Sequence, residues 1–124
     1  PFLGLKHAVA AFRRHGEGGA VLLIGSIVGK VGVPDHTHYA ASKDGVRLMA
    51  KAAALELGPE RIRVNSLHPG MTRTPMIAHF PEAAMAPRIP LGRFADPDEV
   101  AAVALYAVSP RSAFIREGDG KRRR

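Results

Sequence analysis

Residues 18–26 read Gly18-Gly19-Ala20-Val21-Leu22-Leu23-Ile24-Gly25-Ser26, and this stretch decides the fold. Five consecutive apolar residues, Ala20 to Ile24, lie between glycines. A short apolar run, unbroken by polar residues and bounded by turn formers, reads as a strand buried on both faces. Such strands belong to parallel sheets, which helices cover above and below.

The flanks agree with this reading. Before the run, Phe2, Leu5, Val9 and Phe12 recur at helical spacing over residues 1–15, and Gly16 with the Gly18-Gly19 pair ends that helix. After it, residues 25–38 form a loop containing Gly29, Gly32 and Pro34. A second helix is expected over 37–57, with an apolar stripe of Leu48, Met49, Ala52 and Leu55 and a stop at Gly58-Pro59. Residues 61–68 alternate Ile62, Val64 and Ser66, then reach Leu67, which predicts a second strand closed by Pro69-Gly70. Pro75, Pro81, Pro87 and Pro90 keep 71–95 irregular. Asp96, Pro97 and Glu99 supply the N-cap, first-turn proline and capping-box partner of a last helix. Val100, Val103, Ala104, Ala107 and Val108 form its apolar face.

Strands alternating with helices imply parallel β-α-β units, an α/β fold of the doubly wound, Rossmann-like kind. In such folds the chemistry sits at the carboxyl ends of the strands. Here those ends are Gly25-Ser26 and His68-Pro69-Gly70.

Composition narrows the class. The chain has 124 residues, 46% apolar and 23% charged, which is one globular domain at most. There is no cysteine, hence no disulfide, thiolate nucleophile or Cys-ligated zinc, and we expect a reducing, cytoplasmic setting. No apolar run reaches the roughly 18 residues of a transmembrane helix. The net charge is +7, but four positive charges are the last four residues, Lys121 to Arg124, leaving +3 for the body. No aromatic residue interleaves that basic run, so nucleic acid is not an expected partner, nor is a membrane. Pro1 opens the chain in mid-pattern, which we read as a piece of a longer protein.

Tyr39 and Lys43 stand four apart on the second helix and share a face. A free tyrosine titrates near ~10, too high for a useful base near neutrality. A neighbouring ammonium favours the phenolate, so such a pair suits general acid–base work. The bland alternative is a surface tyrosine beside a solvated lysine, and on spacing alone that alternative is preferred. Ser26, at the end of the first strand, precedes Tyr39 by 13 residues.

Ser26, Tyr39-Ala40-Ala41-Ser42-Lys43, Arg61-Ile62-Arg63-Val64-Asn65-Ser66, Pro69-Gly70 with Thr74, and Pro90-Leu91-Gly92-Arg93 together resemble the short-chain dehydrogenase/reductase family. The resemblance covers roughly residues 1–115, and residues 116–124 are expected to be a disordered basic tail. Arg61 to Met76 looks most similar to the hydroxysteroid and cyclic-alcohol dehydrogenase branch. The family implies NAD or NADP as cofactor, a small alcohol or ketone as substrate, and a homo-oligomer built on helices 1–15 and 37–57, where Ala50, Ala53 and Ala54 would permit close approach. By the same resemblance Tyr39 is the proton donor and acceptor, Ser26 the hydroxyl that orients the substrate oxygen, and Lys43 the lysine that holds the nicotinamide ribose. Pro69, Gly70, Thr72 and Thr74 resemble the segment packed on the nicotinamide, and Asn65 a brace for the loop after the strand.

Two features depart from the family. Its glycine-rich pyrophosphate turn is absent, since Gly16 to Gly19 and Gly25 to Gly29 sit in the wrong places, and its catalytic asparagine would fall before Pro1. After Phe114-Ile115 the expected last strand is replaced by Arg116-Glu117-Gly118-Asp119-Gly120 and the basic run. The sheet should therefore be the incomplete, carboxyl-terminal half. An alternative reading follows: a catalytically inactive fragment lacking the dinucleotide-binding half. A basic-tailed binding module is a third. Asp35, His36 and His38 read as solvated loop residues near Tyr39 rather than as metal ligands. Ser26 lacks the Gly-x-Ser-x-Gly elbow of a hydrolase nucleophile. His68 reads as a strand-end residue rather than a base.

Overall fold

The computed structural model describes residues 1–117. Helix α1 (Phe2–His15) ends on Gly16, whose left-handed φ of 72° lets its N–H reach the Phe12 carbonyl. Strand β1 (Gly19–Ile24) follows, then α2 (Thr37–Leu57) and β2 (Ile62–Leu67). The two strands pair in parallel, from Gly19 against Ile62 to Ile24 against Leu67. A short helix α3 (Glu82–Met85) lies within the proline-rich segment, and α4 (Pro97–Val108) closes the order. The expected capping box of Asp96 and Glu99 is present, the Glu99 carboxylate accepting the Asp96 backbone N–H at 2.8 Å. The chain is thus an α/β unit with a parallel sheet, as its sequence implies.

The core lies on one face of the sheet. Leu5 and Val9 of α1 and Val46, Ala50, Ala53, Ala54 and Leu57 of α2 close over Leu23, Ile62 and Val64. This corrects the expected stripe of α2. Leu48 and Leu55 are 53% and 61% exposed, Ala52 is exposed, and only Met49 of the four packs on the core. The helix instead turns its alanines inward, because a small-residue face lets its backbone approach the sheet closely. Ala50, Ala53 and Ala54 are consequently committed to the sheet and are not free to pair with a second copy. In α1 likewise, Phe2 lies 64% exposed outside the core. Strand β1 departs from full burial: of its residues only Leu23 is buried, since among the described residues it has one partner strand.

Alternate residues of β2 face the other way, toward the end of α4. Arg63 donates there to the carbonyls of Ala107 (3.0 Å), Ser109 (3.1 Å) and Ile115 (3.3 Å) and to Ser112 Oγ (3.1 Å). One guanidinium thus satisfies the carbonyls that a helix C-terminus leaves unpaired. In the full-length protein, Arg63→Ala is expected to lower unfolding stability by about 2–3 kcal/mol, read from urea denaturation. A change below about 0.5 kcal/mol would contradict this anchoring.

The chain stays attached beyond Ile115. Asn65 Nδ2 donates to the Ile115 carbonyl at 3.1 Å, and the Glu117 N–H donates to the Val64 carbonyl at 3.1 Å. Asn65 therefore braces this carboxyl-terminal segment rather than the loop after β2. Of the expected tail at 116–124, residues 118–124 lie outside the described residues.

Candidate active site

The parallel ladder continues past the strand ends. Gly25 N–H donates to the Leu67 carbonyl at 2.8 Å and Ile27 N–H to the Pro69 carbonyl at 3.0 Å. These bonds set Ser26 beside the His68-Pro69-Gly70 turn. Ser26 is buried, and its Oγ accepts the Val28 N–H at 3.2 Å, capping the single helical turn Ile27–Gly29. That bond uses a lone pair and leaves the hydroxyl proton available to donate.

The same turn packs hard on α2. A Cβ at Gly29 would lie 2.7 Å from the Lys43 carbonyl carbon and 2.8 Å from Asp44 N, so only glycine permits this approach. Tyr39 stands half-buried in the first turn of α2, with Lys43 one turn on. The Lys43 ammonium lies 5.5 Å from the Tyr39 ring centre and donates to the Ile24 carbonyl at 3.4 Å. Lys43 thereby joins the end of β1 to the tyrosine, with a cation–π contact to its ring. The His36 ring meets Tyr39 edge-on at 6.2 Å and bonds the Pro34 carbonyl through Nδ1 at 2.8 Å.

Beyond Gly70 the chain forms a bracketed excursion. Thr72 bonds back to the Gly70 carbonyl at 3.2 Å and pairs with Ala95. Thr74 precedes the turn Pro75–Ile77 and lines an open cavity of about 560 Å³ with Pro75, Ile77, Phe80 and Phe94. The neck of the excursion is ionic. Arg73 grips Glu82 through two nitrogens, at 3.0 and 2.9 Å, and also Asp96, while Arg93 grips Glu99 at 2.7 and 2.6 Å. Glu82 further accepts the Phe94 N–H at 2.9 Å.

These partners shift the carboxyls. The Arg93 guanidinium, then the Asp96 N–H, hold Glu99 down at about 2, below the ordinary 4.5. Arg73, then the Phe94 N–H, hold Glu82 below its usual range. A depressed carboxyl contributes stability that is complete above its unfolded value and lost as pH falls through its folded value. The bracket is therefore expected to weaken between pH 4.5 and about 2, modestly because the pairs are exposed. Thermal unfolding midpoints of the full-length protein should fall across that window, and Glu99→Gln should flatten the fall. Equal slopes in both proteins would contradict it.

Lys43 thus links the Tyr39 ring to the end of β1, two residues before Ser26, and the Ile27–Pro69 bond sets Ser26 near Pro69 and Gly70. Thr72 and Thr74 lie further along, at the neck of the excursion. Sequence reading did not see the ionic roles of Arg73 and Arg93, whose acidic partners lie 6 to 23 residues away without helical or strand periodicity. It placed His68 at the strand end but gave no role to its ring, which bonds the Ser26 carbonyl. The only available signal was Gly25, a glycine where a Cβ would strike that ring.

A family model described as enoyl-(acyl carrier protein) reductase matches residues 1–118. Cyclohexanol dehydrogenase of Acinetobacter sp. is 41% identical over 114 residues, which are 92% of this chain and 45% of that enzyme. A 3-alpha-(or 20-beta)-hydroxysteroid dehydrogenase of Mycobacterium tuberculosis is 41% identical over 113 residues, 91% of this chain and 42% of that protein. The crystal structure of a short-chain type dehydrogenase/reductase from Mycobacterium marinum superposes with a TM-score of 0.88 at 36% identity, covering 95% of this chain and 48% of that one. The chain belongs to the short-chain dehydrogenase/reductase family. It spans about half the length of the curated relatives it matches.

Proposed function

We propose that this chain carries the catalytic half of an NAD(P)-dependent dehydrogenase that interconverts a secondary alcohol, cyclic or hydroxysteroid-like, and its ketone. One observation carries the reading: Lys43 lies over the Tyr39 ring and bonds the Ile24 carbonyl at the carboxyl end of β1, two residues before the buried Ser26. In this reading Tyr39 takes the proton from the carbinol oxygen, or returns it to the carbonyl oxygen. Ser26 donates a hydrogen bond to the same oxygen and fixes where it sits. Lys43 supplies positive charge beside the tyrosine ring.

The residues fit the nicotinamide end of the cofactor. Lys43 uses one N–H on Ile24, and an ammonium has two more for a ribose diol. Pro69, Gly70, Thr72 and Thr74 offer a wall and hydroxyls along one side. When bound, the cofactor supplies or accepts the hydride. The cavity beside Thr74, walled by Ile77, Phe80 and Phe94, suits an apolar alcohol, and relatives named for cyclohexanol and hydroxysteroids support that class. A homo-oligomer belongs to the same reading, supported now by the exposed Leu48 and Leu55 of α2 rather than by its alanines.

The test offers cyclic, acyclic and steroid secondary alcohols to the full-length protein with NAD+ or NADP+ and follows the reduced cofactor. Saturable turnover of one class is expected, and none with any of them would overturn the reading. The half-length span favours a second reading for residues 1–124 alone, a fragment without turnover of its own.

A further inference from the structure

Both ring nitrogens of His68 are engaged at the end of β2. Nδ1 lies 3.2 Å from the Ser26 carbonyl oxygen, and Nε2 lies 2.8 Å from Ser66 Oγ. A carbonyl oxygen only accepts, so Nδ1 bears a hydrogen and donates it. Behind the ring, Glu117 Oε2 accepts both the backbone N–H of Ser66 (3.2 Å) and its hydroxyl (3.0 Å). A continuous chain of bonds therefore runs from Glu117 through Ser66 and His68 to the peptide of Ser26.

The seat of the ring is built into the backbone. A Cβ at Gly25 would lie 2.5 Å from His68 Nδ1 and 2.6 Å from Cε1. Gly25 cannot retreat, because its N–H is tied to Leu67 in the ladder. The Ser26 carbonyl is thus held from two sides, by the Gly29 N–H at 3.0 Å within its own turn and by the imidazole from β2.

We propose that His68 is a positioning residue for Ser26. Its Nδ1–H fixes the Ser26 peptide and with it the direction of the hydroxyl, while Ser66 and Glu117 fix the ring. The proposal rests on the reading of Ser26 as the hydroxyl that meets the substrate oxygen. Displacing such a donor by about an ångström lowers the chemical rate without touching distant binding contacts.

Two substitutions separate the ring nitrogens. The amide nitrogen of His68→Asn falls near Nδ1 and keeps a donor toward Ser26, whereas that of His68→Gln falls near Nε2 and serves Ser66 only. In the full-length protein, His68→Asn is expected to hold kcat within about threefold and His68→Gln to lower it about tenfold. KM for the cofactor and the unfolding midpoint should be alike in both variants. Nitrogen-15 NMR of the unmodified protein should find a hydrogen on His68 Nδ1. Equal kcat in the two variants, a kcat loss that tracks the unfolding midpoint, or an Nδ1 without hydrogen would each overturn the proposal. Ser26→Ala separates the two levels. If it and His68→Gln both lower kcat, the proposal stands. If only Ser26→Ala does, His68 is merely structural. If Ser26→Ala turns over normally, or the unmodified protein oxidises no alcohol, the reading beneath the proposal fails with it.

Discussion

Tyr39→Phe in the full-length protein is expected to lower kcat by roughly 10²–10⁴ and to leave cofactor affinity within about twofold. The substitution removes one oxygen and keeps the ring. The packing of that ring against His36 and its contact with the Lys43 ammonium should survive, because both are made to the ring. The bond from Lys43 to the end of β1 does not involve the phenol and should also persist. What disappears is the group proposed to move a proton to or from the substrate oxygen. Ser26 can still orient that oxygen, which is why some residual rate is expected. Steady-state turnover combined with cofactor fluorescence titration checks both halves. Near-normal turnover in the Phe variant would remove Tyr39 from the mechanism.

Residues 1–124 expressed alone are expected to show no alcohol turnover, no saturable NADH or NADPH binding at micromolar concentration, and no sharp unfolding transition. The described sheet has two strands, and about three, or firm helical cover, are needed for independent stability in water. Helices α1 and α2 cover one face well, but β1 has an unpaired edge among the described residues, and Ile24 is 49% exposed. Such an edge invites association with other chains. Catalysis fails for a separate reason. The sequence of residues 1–124 shows no glycine-rich turn opening a helix toward the pyrophosphate, so the anchor that would keep the nicotinamide in register with Tyr39 and Ser26 is missing from these residues. Circular dichroism on heating, with fluorescence titration of both reduced cofactors, tests the two parts independently. A cooperative transition with micromolar affinity would establish these residues as a minimal enzyme.

Much of this architecture was legible in the sequence because local signals carried it. The run Ala20 to Ile24 and the alternation of Ile62 and Val64 marked the strands. Asp96, Pro97 and Glu99 marked the start of α4. The inner face of α2 was misread because large apolar residues usually mark a core. Here Leu48 and Leu55 point outward, and the alanines lie against the sheet, where backbone proximity matters more than side-chain volume. The serine, tyrosine and lysine were legible as spacing, but not the means by which the fold joins them. Gly29 pressed on α2 and Lys43 reaching Ile24 are tertiary contacts. The bonds of Arg63 to the end of α4 and of Glu117 to Ser66 span 44 to 52 residues. No periodicity records bonds of that kind.

We have proposed that this chain's strand-end residues serve hydride exchange between an alcohol carbon and a nicotinamide while Tyr39 handles the proton. Isotope transfer tests it most directly. Cyclohexanol carrying deuterium on its carbinol carbon, or whichever secondary alcohol the full-length protein oxidises best, is turned over with NAD+ or NADP+ and the reduced cofactor is analysed by mass spectrometry. One deuterium is expected in the reduced nicotinamide for each ketone formed, with none exchanged into solvent. Ketone formed without label in the cofactor, or label lost to water, would contradict it.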